Sequence, residues 1–145
     1  MNGSNDKIIT HYTKDGLLDR ILGKLAASGI SVDALTSADL KPVDEFHIGG
    51  VEATDDLLDQ LEIGTVTQML DIGSGIGGTA RHIVARHGAQ VTGLDLTPEF
   101  VDAARRLTEL VGLTATFQVG SALDMPFDND QFDLATLIHV GMNLP

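Results

Sequence analysis

The chain has no cysteine, no tryptophan, one tyrosine and five phenylalanines. Without cysteine there is no disulfide, no thiolate metal site and no thiol nucleophile. With so few rings, an aromatic platform for stacking single-stranded nucleic acid is not expected. Basic residues are scarce as well: nine Lys and Arg stand against 21 Asp and Glu, for a net charge of −12. Such a surface disfavours phosphate backbones and anionic headgroups, so neither nucleic acid nor membrane is expected as a partner. The ordinary consequence of this acidity is solubility. Long apolar runs are also missing. Met1 to Thr13 is polar and unlike a signal peptide, nothing later approaches a membrane span, and a cytoplasmic setting is expected.

What remains is a chain of 145 residues, 43% hydrophobic, long enough for one domain with a real core. It shows no repeat and no low-complexity tract. Residues 1–64 read as a helical leader or lid. After a frayed start, Leu17, Leu18, Ile21, Leu22 and Leu25 form a helical stripe that ends near Ser28-Gly29. A short helical or turn segment covers Val32 to Leu40 and is expected to stop at Pro42. A further helix covers Glu52 to Leu61, with Leu57, Leu58 and Leu61 on one face.

Residues 65–145 alternate strands with helices. Val66 to Ile72 is an apolar strand running into a glycine cluster, and Gly77 to His87 is a helix with Gly88 as its stop. Gln90 to Leu96 is the second strand. Thr97-Pro98-Glu99 starts the next helix with a hydroxyl cap, a first-turn proline and an acid at the positive end. Its inner face is expected to carry Phe100, Ala103, Ala104, Leu107 and Leu110. Thr114 to Val119 and Phe132 to Val140 are the third and fourth strands. Parallel pairing through right-handed crossovers follows, giving an α/β fold with a doubly wound parallel sheet.

Glycines 73, 75, 77 and 78 sit where the first strand meets its helix, where backbone must approach a ligand closely. Their spacing fits two templates. Gly73-x-Gly75-x-x-Gly78 suits a dinucleotide, and Asp71-x-Gly73-x-Gly75-x-Gly77 suits S-adenosylmethionine. Asp71 favours the second, because a carboxylate there opposes a pyrophosphate but attracts an ammonium or sulfonium. Asp95 ends the second strand beside the first, where a carboxylate can accept from both ribose hydroxyls of either cofactor. Capping of the following helix is its other role, one that Thr97 can fill instead.

Leu70-Asp71-Ile72-Gly73-Ser74-Gly75-Ile76-Gly77-Gly78, Gly93-Leu94-Asp95-Leu96-Thr97, Gly120 to Phe127 and Phe132-Asp133-Leu134 together resemble a class I, Rossmann-like S-adenosylmethionine-dependent methyltransferase of small molecules. The resemblance implies that Asp71 and the backbone of Gly73, Ser74, Gly75 and Gly77 hold the methionine part and Asp95 the ribose. It also implies that Leu96 and Leu123 flank the adenine. The family commonly has an acid where Ser121 stands, so the Ser121 and Ala122 backbone is expected to share adenine recognition. The leader resembles that of members acting on quinones, amines or sarcosine-type substrates, in which the segment matching Asp44 to Gly50 precedes the helix over the cofactor and helps close the site. There His47 has two open readings, a hydrogen bond to cofactor or substrate and a surface turn; Tyr12 is assigned to a lid.

His139, at the end of the fourth strand, is the best-placed titratable group near the ligand crevice and the candidate base, with Asn143 within the same reach. His82 and His87 are expected to be solvated. Asp128, Asp130 and Asp133 lack the glycine and glutamate of a calcium loop and read as a turn; no metal is expected. The family's sheet has seven strands in the order 3-2-1-4-5-7-6, and about four are expected here, so this chain alone is expected to be weakly active or inactive. Its apolar fourth strand, Leu134 to Ile138, is expected to self-associate through its open edge. Two other readings stay open: a nicotinamide-dependent oxidoreductase, and a non-catalytic nucleoside-binding or self-associating fragment.

Overall fold

In a computed structural model that describes residues 16–44 and 50–138, strands β1 (Gln68–Ile72), β2 (Gln90–Asp95), β3 (Thr116–Val119) and β4 (Leu134–Leu137) form one parallel sheet in the order β3-β2-β1-β4. The doubly wound α/β reading holds for these strands. The strand order reverses between β1 and β4, and ligands of such sheets bind beyond the carboxyl ends at that switch point.

Helix α4 (Gly78–His87) joins β1 to β2, and α5 (Pro98–Leu110) joins β2 to β3. Met69, Val91 and Phe117 of the sheet pack with Ala80, Ile83, Val101 and Ala104 of these helices, with Leu58 completing the cluster. The face of α5 is turned slightly from that expected: Val101 and Thr108 are buried, while Phe100 is 38% exposed. Strand boundaries are also tighter than the hydrophobic pattern suggests. Val66 is exposed because Thr67 closes a turn, its N–H donating to the Gly64 carbonyl and its hydroxyl accepting from the Gly64 N–H. At the other edge, Asp133 exchanges hydrogen bonds with the Gln68 backbone, donating its N–H to the carbonyl and accepting the N–H on Oδ2, and so sets where β4 begins.

The leader comprises α1 (Leu17–Ala27), two 3₁₀ turns (Val32–Ala34 and Ser37–Leu40), α2 (Lys41–Asp44) and α3 (Gly50–Leu58). Pro42 does not stop the chain's helical course. It lies in the first turn of α2, where its missing N–H costs no intrahelical bond. Helix α3 ends three residues early in a turn, and of its expected face only Leu58 is fully buried, Leu57 being exposed. Ile21, Leu25, Leu35, Leu40 and Val43 form a second cluster with Leu107 of α5, so the leader's apolar side docks on the outer face of that helix. Among the described residues no helix is long and apolar enough to cross a membrane.

Candidate functional site

The loop from β1 to α4 is tied to the end of β2 rather than left free. Gly73 and Ser74 donate their N–H groups to the Leu94 carbonyl at 2.7 and 3.0 Å, and Gly75 donates to Asp95 Oδ2 at 2.9 Å. Gly73, Gly75 and Gly77 take φ values of 70°, 54° and 88°, a region that residues with a Cβ rarely adopt. Among the described residues, and apart from its chain neighbours, no atom lies within 4 Å of where a Cβ on Gly75 would project. Below the loop, Gly93 removes an obstacle: a Cβ there would lie 2.6 Å from the Phe117 ring and 2.7 Å from Ser74 Oγ. The bare β2 backbone is what lets the loop settle onto the sheet.

Two carboxylates bracket this loop. Asp71, 3% exposed, accepts a hydrogen bond on Oδ1 from Thr136 Oγ1 at 2.8 Å. Burial pushes its pKa up to about 7, against the hydrogen bond from Thr136, and the nearby negative charge of Asp95 adds to the rise. Asp95 is half-buried and accepts from two backbone groups, Gly75 N–H on Oδ2 and Thr97 N–H on Oδ1, each at 2.9 Å. Each oxygen keeps a second lone-pair direction for an incoming hydroxyl. Thr97 is therefore not the hydroxyl cap expected: it flanks α5 with its side chain making no cap bond, and its N–H is spent on Asp95.

Beyond β3, Gly120 N–H donates to the Asp95 carbonyl at 2.9 Å, which brings the next segment alongside. Ser121 Oγ accepts from Leu123 N–H at 3.1 Å, so its hydroxyl already braces a turn, while its proton remains available to donate. Ala122 is half-buried, whereas Leu96 and Leu123 are 71% and 64% exposed, two apolar side chains left in the open at strand ends. Ser74 differs from expectation in one respect. Its hydroxyl is buried against Gly93 with no partner among the described residues, its N–H is spent on the Leu94 carbonyl of β2, and its carbonyl accepts from Gly77 N–H. His47, His139, Tyr12 and Asn143 lie outside the described residues.

A family model for the methyltransferase domain matches residues 69–145, which includes the loop, both carboxylates and the turn after β3. The chain belongs to the methyltransferase domain family. S-adenosylmethionine is the methyl donor of this family. The chain is 44% identical over 73 residues to ajmaline N-methyltransferase of Rauvolfia serpentina, covering 49% of this chain and 25% of that protein. It is 31% identical over 151 aligned positions to 2-methyl-6-phytyl-1,4-hydroquinone methyltransferase of Synechocystis, covering 98% of this chain and 44% of that one. Among solved structures it resembles phosphoethanolamine N-methyltransferase 2 of Haemonchus contortus in complex with S-adenosyl-L-methionine. There the identity is 32% and the TM-score 0.54, over 60% of this chain and 21% of the other. The chain thus spans less than half the length of these relatives.

In this methyltransferase domain, two residues matter that the sequence reading passed over. Thr136 is the polar interruption in an apolar strand, and its partner Asp71 becomes visible only once β1 and β4 pair. Arg81, 1% exposed, donates from Nη1 to the Ile76 carbonyl at 2.8 Å and Thr108 Oγ1 at 3.2 Å, and from Nη2 to Asp44 Oδ1 at 2.7 Å. Burial pulls its pKa below the ordinary value, and Asp44 opposes this. One guanidinium therefore joins the glycine loop, α5 and the last described residue of α2. Its position between Gly77 and Val84 on the inner side of α4 was the available signal.

The histidines of α4 are not simply solvated. His82 Nε2 lies 2.5 Å from Asp55 Oδ1, and Arg86 pairs with Asp55 and Asp59, so α3 is clasped to α4. The hydrogen bond with His82, with help from Arg86, holds the Asp55 carboxyl below its usual range. His87 Nε2 is buried without a partner among the described residues. A cavity of about 300 Å³ lies between α2, α3 and α4, bordered by Lys41, Thr54, Thr79 and Arg81, but neither Asp71 nor Asp95 lines it. Asp128 N–H donates to Gln131 Oε1 and Asp130 takes a φ of 61°, the geometry of a turn. Among the described residues no group of three acids or histidines is placed to hold a metal ion.

Proposed function

We propose that this chain provides the methyl-donor site of a methyltransferase acting on a small-molecule acceptor. The observation that carries the reading is the pair of carboxylates at adjoining strand ends, Asp71 and Asp95, on either side of a loop whose Gly75 faces open space among the described residues. The residues present fit S-adenosylmethionine: acids suit its cationic amino-acid end and its ribose diol, and exposed Leu96 and Leu123 suit the faces of a purine. A dinucleotide fits less well, because its pyrophosphate would share the loop with Asp71.

Asp71 would hold the ammonium, with the Gly73 to Gly77 backbone shaping the space around the methionine part. Asp95 would accept from the ribose hydroxyls, its two oxygens already oriented by Gly75 and Thr97. Ser121 and Ala122 would meet the adenine edge. When bound, the donor supplies a methyl group on a sulfonium, already activated towards in-line displacement. The protein's task is then orientation and exclusion of water, with a base needed only where the acceptor has a proton to lose. His139 is assigned that role by its place in the sequence just after Ile138, and His47 a contact to cofactor or acceptor. The names of the relatives, an ajmaline N-methyltransferase and a 2-methyl-6-phytyl-1,4-hydroquinone methyltransferase, support a small-molecule acceptor. The absence of cysteine and the acidic charge support a cytoplasmic setting.

Calorimetric titration tests the donor site. S-adenosylhomocysteine is expected to bind and NAD is not, and Asp95→Ala is expected to weaken the former on the order of 100-fold, the worth of two charge-assisted hydrogen bonds. Binding of NAD in place of the homocysteine nucleoside overturns the reading.

We further propose that copies of the chain associate through β4. Among the described residues this strand lies at the sheet's edge, with Ala135 and Leu137 exposed. An open row of backbone donors and acceptors beside exposed apolar side chains is a template for a second copy. Light scattering should show a dimer that dissociates when Leu137 is replaced by Lys; a monomer at high concentration refutes this.

A further inference from the structure

Across the sheet, Phe117 of β3, Gly93 of β2, Asp71 of β1 and Thr136 of β4 stand in one register row. Parallel neighbours in register point to the same face, so the row leaves Asp71 beside Gly93, whose side-chain place is filled by the Phe117 ring and Ser74, on one side and the Thr136 hydroxyl on the other. Thr136 is 4% exposed, and its hydroxyl donates to the Asp71 carboxyl across the switch point between β1 and β4.

We propose that Thr136 is a positioning residue for methyl-donor binding: its hydroxyl holds the Asp71 carboxyl in orientation and in its charged form, facing the donor's ammonium. This rests on the reading of Asp71 as the ammonium's partner. A donor to a carboxylate stabilises the charged form, whereas burial and a neighbouring carboxylate disfavour it. Thr136 is therefore the element that makes a buried acid at this place usable as an anion near neutral pH. Among the described groups, the charge that bears on Asp71 is Asp95 at the end of β2. β4 presents the Thr136 hydroxyl to it.

A β-branched residue filling a buried strand position would have no such effect, and isosteric replacement separates the two roles. The full chain, wild type and Thr136→Val and Thr136→Ser, is titrated calorimetrically between pH 5.5 and 8.5. One probe is S-adenosylhomocysteine, and the other is 5′-methylthioadenosine, the same nucleoside without the amino-acid end. For wild type, affinity for S-adenosylhomocysteine should fall as pH drops below about 7, because the ligand's cation meets a neutral acid, while affinity for methylthioadenosine stays flat. Thr136→Val should weaken the first probe about ten-fold at pH 7, leave the second unchanged, and move the pH profile upward. Serine should restore both. Methylthioadenosine binding by the valine variant also shows that its site is folded. If that variant does not fold, Thr136→Ala, which also lacks the hydroxyl, is read with the same two probes and the same expected outcomes. Equal weakening of both probes, or none, overturns the positioning role. Failure of wild type to bind either nucleoside overturns instead the assignment of the donor site on which it rests.

Discussion

Asp71→Asn is expected to make the fold more stable above pH 7 while impairing the donor site. Asp71 is buried, with its pKa raised from 3.8 to about 7. Between those values the folded chain holds a proton that the unfolded chain has released. The stability this group contributes is thus complete below pH 3.8 and is lost as pH rises through 7. At pH 8 the wild-type chain keeps a desolvated carboxylate, a cost of about 4 kcal/mol relative to acid conditions. Asparagine avoids it, and its side-chain carbonyl can still accept from Thr136. Urea denaturation at pH 4.5 and pH 8 should therefore give an advantage for the variant that grows with pH, together with weaker binding of S-adenosylhomocysteine. An advantage independent of pH shows that Asp71 is not held neutral by burial. A gain in stability paired with a loss of affinity is the behaviour of a residue kept for its ligand.

The second large effect is expected at Arg81. Its guanidinium faces Asp44 and also donates to the Ile76 carbonyl and the Thr108 hydroxyl, all in a nearly solvent-free setting. Removing one partner of a buried pair is costly because the remaining charge stays in low dielectric, about 3–5 kcal/mol for the pair as a whole. Arg81→Ala should lose stability on that scale in chemical denaturation. Arg81→Lys should recover part of it, since an ammonium keeps the charge but cannot fork between carboxylate and carbonyl. Because Ile76 belongs to the glycine loop, S-adenosylhomocysteine affinity should fall in Arg81→Lys even where the protein remains folded. A loss below about 1 kcal/mol in Arg81→Ala refutes a stabilising role for this guanidinium.

Glycine spacing, the strand-end acids and the alternation of strands and helices are local patterns, and they sufficed to anticipate a parallel α/β sheet with Asp71 and Asp95 beside one loop. Helix stops were legible where a glycine takes the left-handed conformation, as Gly88 does with a φ of 67°. They were not legible at Pro42, because a proline in a first turn and a proline beyond a last turn look alike in sequence. The face of α5 was misjudged by one position, Phe100 for Val101, since periodicity sets a stripe's width but not its angle to the sheet.

By itself, then, the sequence determined the fold class, the family and the place where strand ends and glycines meet, because each rests on residues close together in the chain. Only the tertiary structure decided which groups those residues touch. Thr136 reaches Asp71 across 65 positions and Arg81 reaches Asp44 across 37. The first contact depends on the register of β4 against β1, and the second on how the leader docks against α4. Both are set by long-range packing, which no local pattern of residues encodes.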